Sequence, residues 1–168
     1  MSKIIVLCGM VASGKSTYCK NAARAGQLIL NDDALVSMLH GDEYTLYNKS
    51  FKVLYKSIEN HVVAMAVGMN VPLVVDRGLN VSIQGRQRWI ALANSFDVDY
   101  EAVVFSHDGV ETHARRRHDS DSRGHKYDYW LMVANAHNKV YSPPTVEEGF
   151  KAIHQISYGE ILEGKVYE

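Results

Sequence analysis

Apolar and polar positions alternate along the chain in blocks that predict strands and helices in turn. Short unbroken apolar runs bounded by turn residues are typical of buried parallel strands. These runs are KIIVLC, LIL, PLVVD, YEAVVFSH and FKAIHQIS, beginning at residues 3, 28, 72, 100 and 150. Helical patterns lie between them, so we predict an α/β fold in which a parallel sheet is flanked by helices.

The helical segments show apolar residues three or four positions apart. The longest predicted helix covers residues 49–69, with these apolar positions: Phe51, Leu54, Tyr55, Ile58, Val62, Met65 and Ala66. A second begins after Ser82, which we expect to be its N-cap, and continues through Gly85. Others are predicted after residue 13, in ALVSML and in YDYWLMVANAHNKVY. No repeat or linker interrupts the pattern, so we expect a single domain over residues 1–168.

The segment GMVASGKST follows the first strand and opens the first helix, and it fits the pattern G-x-x-x-x-G-K-[ST]. At this spacing the glycines let backbone N–H groups turn toward phosphate oxygens. The lysine reaches the β- and γ-phosphates, and the serine hydroxyl binds Mg²⁺. We therefore predict a phosphate-binding loop, or P-loop, at a helix N-terminus. The predicted nucleotide-binding residues are Gly9, Ala12, Ser13, Gly14, Lys15, Ser16 and Thr17.

Composition and charge narrow the choice of protein class. The 168 residues are 46% hydrophobic and 22% charged, with a formal net charge of −1, so no overall basic surface demands a nucleic-acid partner. The two cysteines, Cys8 and Cys19, lack metal-ligand or redox spacing, and we expect buried free thiols in a cytoplasmic protein. The chain begins in a core strand and its apolar stretches are interrupted, so we expect neither a signal peptide nor a membrane span.

Carboxylates follow two of the predicted strands. In open α/β sheets ligands bind beyond the carboxyl ends of the strands, so Asp32, Asp33 and Asp76 should converge on the P-loop. A carboxylate there can hold Mg²⁺ or accept a proton from an attacking hydroxyl. We expect Asp32 to face the cleft, Asp33 to cap the following helix, and Asp76, with Ser16, to serve the metal.

Residues 110–128 form a charged segment that contains Arg115, Arg116, Arg117 and Arg123. An arginine delivered to the γ-phosphate accelerates phosphoryl transfer, so we predict that this segment is a lid rather than a solvated loop. We expect the nearby histidines to be solvent-exposed rather than zinc ligands: His107, His113, His118 and His125. Tyr127, Tyr129 and Trp130 are expected to seat a helix on the core rather than to stack on a base.

The succession GMVASGKST, LILNDDALVSML, LVVDRGLN and a late arginine-rich segment resembles the polynucleotide 5′-kinase branch of the P-loop kinases. The kinase domain of phage end-repair enzymes is its best-known member. The terminal PPTVEEGFKAIHQI also resembles the end of such domains, and the resemblance covers nearly the whole chain. It implies ATP and Mg²⁺ as cofactors and phosphoryl transfer to a hydroxyl, in the host cytoplasm if the protein is phage-encoded.

Carried over position by position, the resemblance assigns roles. Lys15 and Ser16 handle the donor phosphates and magnesium, and Asp32 takes the place of the general base. One of the four arginines is the lid residue. The acceptor or metal side is assigned to Asp33, Asp76, Arg77 and Asn80.

One position departs from the family pattern. Such kinases carry an arginine three residues after the base, which binds a phosphate of the nucleic-acid acceptor, and here that residue is Leu35. The acceptor therefore either lacks that phosphate or is bound by Arg77, Arg86 or Arg88. The leading hypothesis is a kinase for a polynucleotide 5′-hydroxyl or another nucleic-acid-linked hydroxyl, such as a hydroxymethylated base. A small-molecule kinase for a nucleoside or metabolite and a nucleotide-binding switch remain alternatives.

Overall fold

Five parallel strands form one sheet in the computed structural model, which describes residues 2–167. The strands are β1 (Lys3–Cys8), β2 (Leu28–Asn31), β3 (Leu73–Asp76), β4 (Asp99–Phe105) and β5 (Ala152–Ile156). Their order is β2-β3-β1-β4-β5, and every neighbouring pair is parallel. Because β1 lies at the centre, the loop that follows it opens in the middle of the carboxyl edge. The predicted parallel α/β sheet is confirmed.

Helices cover both faces of this sheet. Within the described residues they are α1 (Lys15–Arg24), α2 (Asp32–Leu39), α3 (Lys52–Gly68), α4 (Ile83–Ser95), α5 (Val110–Asp119), α6 (Tyr127–Val140) and α7 (Tyr158–Leu162). Sequence periodicity missed α7, which has only five residues. Its local signal was the capping box that Ser157 and Glu160 form.

The alternating side chains of β1 divide the core into two layers. Ile4 and Val6 face one cluster, which α3 and α4 complete with residues such as Val63 and Trp89. Side chains of opposite parity face the other cluster, where α1 and α7 pack. Cys8 and Cys19 are both free and buried, as expected.

The buried face of helix α3 agrees only in part with its predicted apolar positions, of which Tyr55 and Ala66 are buried. Leu54 and Met65 are about half exposed, at 49% and 51%, and Phe51 precedes the helix and is exposed as well. Besides Tyr55 and Ala66, the buried stripe contains Glu59 and Val63, which were not among the predicted positions. Because this stripe includes a glutamate that pairs with an arginine, counting apolar positions places it wrongly.

The cap of α2 also differs from expectation. Asn31, not Asp33, is the N-cap residue, and its side-chain oxygen accepts a hydrogen bond from the Ala34 N–H at 2.8 Å. Asp33 therefore lies inside the first turn, where its negative charge interacts favourably with the positive end of the helix dipole. Ser82 does cap α4, as predicted.

None of the helices described between residues 2 and 167 combines the length and apolarity that a bilayer crossing requires.

The close approach of α4 to the preceding turn yields a test of the fold. A Cβ on Gly85 would overlap the backbone carbonyl of Leu79, whereas a Cβ on Gly68, at the end of α3, meets open space. Gly85→Ala should lower the free energy of unfolding by about 1–3 kcal/mol because backbone must move. Gly68→Ala should leave it unchanged or raise it by up to about 1 kcal/mol. Chemical denaturation followed by circular dichroism measures both, and equal effects would contradict this packing.

Candidate active site

The P-loop connects β1 to α1 at the centre of the sheet. A Cβ on Gly9 would lie 2.5 Å from Ser13 Oγ and 2.7 Å from Phe105 Cβ, so only glycine fits there without a shift of its neighbours. Gly14 has a φ of 101°, a left-handed conformation that glycine adopts freely. Ala12 also has a positive φ, 52°. The motif therefore adopts a tightly curled loop at the start of a helix.

The Lys15 side chain folds back over this loop. Its Nζ donates hydrogen bonds to the carbonyl oxygens of Gly9 and Met10, at 2.8 and 2.6 Å, and lies 3.3 Å from Ser13 Oγ. Burial lowers the Lys15 pKa, and the nearby Asp76 carboxylate opposes that shift. The loop thus concentrates positive charge at the position where phosphate oxygens would enter.

A cavity of about 630 Å³ opens in front of the loop. Six of the seven predicted nucleotide-binding residues line it, namely Ala12, Ser13, Gly14, Lys15, Ser16 and Thr17. Gly9 is buried beneath them and shapes the loop instead. We call this space the donor cavity.

Ser16 and Asp76, the two predicted metal ligands, line the donor cavity together. The Asp76 side chain accepts a hydrogen bond from Asn31 Nδ2 at 2.9 Å, which fixes one of its oxygens. Within residues 2–167 no group of three histidine, cysteine, aspartate or glutamate side chains could hold a metal by itself. A hydroxyl and one carboxylate suit Mg²⁺, which usually keeps several waters and takes further oxygens from nucleotide phosphates.

Asp32 stands at the start of α2 and forms an ion pair with Arg77. Arg77 Nε donates to Asp32 Oδ2 at 2.8 Å, and Asp32 Oδ1 accepts from the Asp33 N–H at 3.1 Å. Burial and the charge of Asp33 raise the pKa of Asp32 to about 6, although Arg77 opposes the shift. Asp32 is therefore ionised at neutral pH, yet more basic than an ordinary aspartate.

A second cavity, of about 300 Å³, adjoins the donor cavity, and we call it the acceptor cavity. Four residues line both cavities, namely Asp32, Asp33, Gly78 and His137. The outer wall of the acceptor cavity carries the neighbouring rings of Tyr44, Tyr47 and Tyr55. Asp32 thus lies where the two cavities meet.

Charged groups in the acceptor cavity are largely paired. Arg77 binds Asp32, and Arg88 binds the buried Glu59. Asp33 lies beside Tyr44 and, after burial, contributes to raising the Tyr44 pKa. Among the contacts within residues 2–167, the remaining two cations of the lining, Lys52 and Lys56, have no acidic side chain within ion-pair distance.

The structure does not place Asn80 or Arg86 at the acceptor cavity. Asn80 is fully buried, donates to the Val75 carbonyl at 3.3 Å and lines neither cavity, so the structure does not place it at the acceptor or metal side. Arg86 is fully buried too, with two hydrogen bonds to Glu148 at 2.7 and 2.9 Å and further bonds to the carbonyls of Asn80 and Ser142. Because it is buried, lines neither cavity and is held by four hydrogen bonds, Arg86 is not placed to bind an acceptor phosphate.

A protein-family model described as an AAA domain matches residues 4–144, most of the chain. The chain belongs to this family. No curated protein matches it. Its strand order and P-loop position give it a P-loop kinase-like fold.

Solved structures show the same fold. A chain of the Pnkp1/Rnl/Hen1 RNA repair complex aligns at 17% identity and a TM-score of 0.64, covering 84% of this chain but only 46% of the other. This AAA domain therefore spans less than half of that protein. A gluconokinase from Sinorhizobium meliloti 1021 aligns at 17% identity and a TM-score of 0.58, covering 96% and 88%. A putative kinase from Chloroflexus aurantiacus J-10-fl aligns at 13% and 0.67, covering 95% and 87%.

The four arginines of the charged segment separate into two pairs in this AAA domain. Arg116 and Arg117, on α5, line the donor cavity. The Arg116 guanidinium lies 4.2 Å from the centre of the Tyr158 ring and bonds to Asp108, while that of Arg117 lies 4.5 Å from the centre of the Trp130 ring. Arg115 and Arg123 are exposed and outside the lining of the cavity. Sequence alone could not make this division.

The expected solvent exposure holds for His107 and His118 but not for His113 or, fully, for His125. His113 is fully buried, and burial lowers its pKa to about 4. His118 is exposed, whereas His125 is partly buried and bonds to Asp121. Trp130 packs against Ala114 and seats α6, as predicted. Of the residues that line both cavities, sequence reasoning missed Gly78 and His137, and His137 carried no motif to signal it.

Proposed function

We propose that this protein is an ATP- and Mg²⁺-dependent kinase that transfers the γ-phosphoryl group to a hydroxyl. The preferred acceptor is a polynucleotide 5′-hydroxyl or another nucleic-acid-linked hydroxyl. One observation carries the proposal: the Asp32 carboxylate, with its raised pKa, lies on the shared wall between a P-loop cavity and a second cavity. That is where an acceptor hydroxyl must meet the γ-phosphorus.

The proposed reaction is an in-line displacement. The acceptor oxygen forms a bond to the γ-phosphorus while the bond from that phosphorus to the β,γ-bridging oxygen breaks, and ADP leaves. The hydroxyl proton passes to Asp32. Arg77 holds one Asp32 oxygen, which orients the carboxylate so that the other oxygen can serve as the base.

On the donor side, Lys15 and the P-loop N–H groups would hold the triphosphate. Ser16 and Asp76 would hold Mg²⁺, which neutralises charge on the β- and γ-phosphates when it is bound. We further propose that residues 110–128 form a lid and that residues 1–168 act as one kinase domain. Arg116 and Arg117 support the lid, since both already line the donor cavity.

Three features of the acceptor cavity favour a nucleic-acid end. The tyrosine rings offer planar surfaces on which a base can stack. Lys52 and Lys56, one helical turn apart on α3, can meet a phosphate and so replace the arginine that is absent at Leu35, which is buried. The likeness to a chain of an RNA repair complex agrees with this choice.

A small-molecule kinase is the second candidate. The acceptor cavity, at about 300 Å³, is at the small end of ligand sites, so a sugar or nucleoside would fill it. The gluconokinase, which aligns over nearly the whole chain, supports this alternative. A nucleotide switch that only hydrolyses ATP would leave the acceptor cavity without a role.

The acceptor is tested with γ-labelled ATP, Mg²⁺ and four compounds: a 5′-hydroxyl oligonucleotide, an oligonucleotide with a hydroxymethylated base, a nucleoside and gluconate. We expect label on one of the oligonucleotides.

Lys52→Gln and Lys56→Gln should each raise the oligonucleotide KM about three- to tenfold and flatten its salt dependence, because each removes one phosphate contact. Lys139→Gln, on exposed α6 surface, is the matched control. Label on the nucleoside or gluconate alone would establish the second candidate.

The general base is tested by pH. If Asp32 accepts the proton, kcat should rise with pH through about 6 and then level, because only the ionised carboxylate is a base. Asp32→Asn should lower kcat by about 10²-fold or more and leave ATP affinity nearly unchanged. Asp33→Asn should retain activity but move the rise to lower pH, since the Asp33 charge helps to raise the Asp32 pKa. Wild-type turnover in Asp32→Asn would remove this base from the mechanism.

The lid arginines are tested by single alanine substitutions. Arg116→Ala or Arg117→Ala should lower kcat by about 10³-fold with a much smaller change in ATP affinity, because the contact strengthens as charge develops on the phosphoryl group. Arg115→Ala and Arg123→Ala, which remove the same charge outside the cavity, should stay within about tenfold of wild type. Equal effects in all four would show that the segment contributes only a general field.

A further inference from the structure

His137 lies on α6 where the donor and acceptor cavities meet. It lines both cavities, a property that it shares with Asp32, Asp33 and Gly78. Asp32 and Gly78 reach this junction from the ends of β2 and β3, whereas His137 reaches it from α6. A group that passes from one cavity to the other must therefore pass His137, Asp32 and Gly78.

His137 has no hydrogen-bond partner among residues 2–167, and its Nδ1 is buried. Other histidines of this region are partnered: His107 contacts Asn138 at 2.9 Å, and His125 contacts Asp121 at 3.1 Å. Buried polar side-chain atoms usually have a protein or solvent partner. The Nε2 of His137 also has no protein partner but, unlike Nδ1, it is not buried, so it is free to contact a ligand at the edge of the cavities.

Packing of α6 does not require His137. The helix is seated through Trp130 and Ala134, which cluster with Ala114 of α5. His137 follows one turn later and is only partly buried, so its ring extends beyond that seat to the cavities.

The protonation state of His137 suits a neutral contact. Burial lowers its pKa, and the positive charge of Lys15 lowers it further, so the imidazole is uncharged at neutral pH. A neutral imidazole carries one N–H donor. With Nδ1 buried and unpartnered, Nε2 is the nitrogen that can present this donor to the cavity.

We propose that His137 donates a hydrogen bond from Nε2 to an oxygen of the γ-phosphoryl group. This inference rests on the proposed kinase function. Lys15 and the P-loop would hold the phosphate from the loop between β1 and α1, and His137 would add a contact from α6. This contact is uncharged, so it differs from the charged contacts that we propose for Arg116 and Arg117 of α5.

The test uses three variants, His137→Gln, His137→Asn and His137→Leu. Gln can place its amide N–H near the position of Nε2, whereas Asn reaches only the position of Nδ1. Dissociation constants are measured with Mg²⁺ for ADP and for a non-hydrolysable imido analogue of ATP. His137→Leu and His137→Asn should weaken analogue binding about tenfold and leave ADP binding unchanged, because only the analogue carries a γ-phosphoryl group. His137→Gln should bind both as wild type does.

His61→Leu, at an exposed position of α3, is the control, and it should change neither constant. Thermal denaturation of every variant separates folding from binding. An unchanged analogue-to-ADP ratio in His137→Leu, an equal loss for both nucleotides, or restoration by Asn rather than Gln would each overturn the inference. The binding assay needs no acceptor, so failure to label any acceptor would count against the proposed function and leave the His137 result standing.

Discussion

Asn31 uses both ends of its side-chain amide to join three elements, and the site depends on this junction. Its oxygen caps α2 through the Ala34 N–H, and its nitrogen donates to Asp76 at the end of β3. The strand register places Asn31 directly beside Asp76. Because the cap fixes where α2 begins, Asp32 becomes the first helical residue and its carboxylate lies at the cavity junction.

The charges around that junction follow from the need to pair buried groups. Glu59 and Arg88 neutralise each other beneath the acceptor cavity, and Arg77 holds Asp32. Burial still dominates at Asp32 and keeps its pKa above the ordinary value. A carboxylate that remains ionised at neutral pH while its basicity is raised is well matched to proton abstraction. Because the arginines of the acceptor cavity are paired, the unpaired positive charges of its lining are those of Lys52 and Lys56 on α3.

Sequence patterns predicted the fold and the P-loop well because both rest on local signals. Five apolar runs became five parallel strands, and the glycine and lysine spacing survived as a curled loop. Long-range pairing was not predictable. Asn80 and Arg86 look like site residues in sequence, yet both are fully buried, and Arg86 donates a hydrogen bond to the Asn80 carbonyl. His137 has no motif, since only the packing of α6 on α5 brings it to the cavities. The N-cap of α2 was not predictable either, because Asn31, Asp32 and Asp33 are adjacent and all three residue types suit that role.

The strength with which each arginine is held indicates whether it can move to a ligand. Arg86 is buried in a bidentate pair with Glu148, and breaking such a pair costs about 3–5 kcal/mol, so it stays structural. Arg116 and Arg117 rest on aromatic rings at partly exposed positions, where a cation–π contact contributes about 0.5–1 kcal/mol. The exposed Asp108 pair adds at most about 1 kcal/mol for Arg116. A charged hydrogen bond to phosphate is worth about 1.5–3 kcal/mol. Such a bond can therefore draw these two arginines off their rings, whereas it does not offset the cost of extracting Arg86.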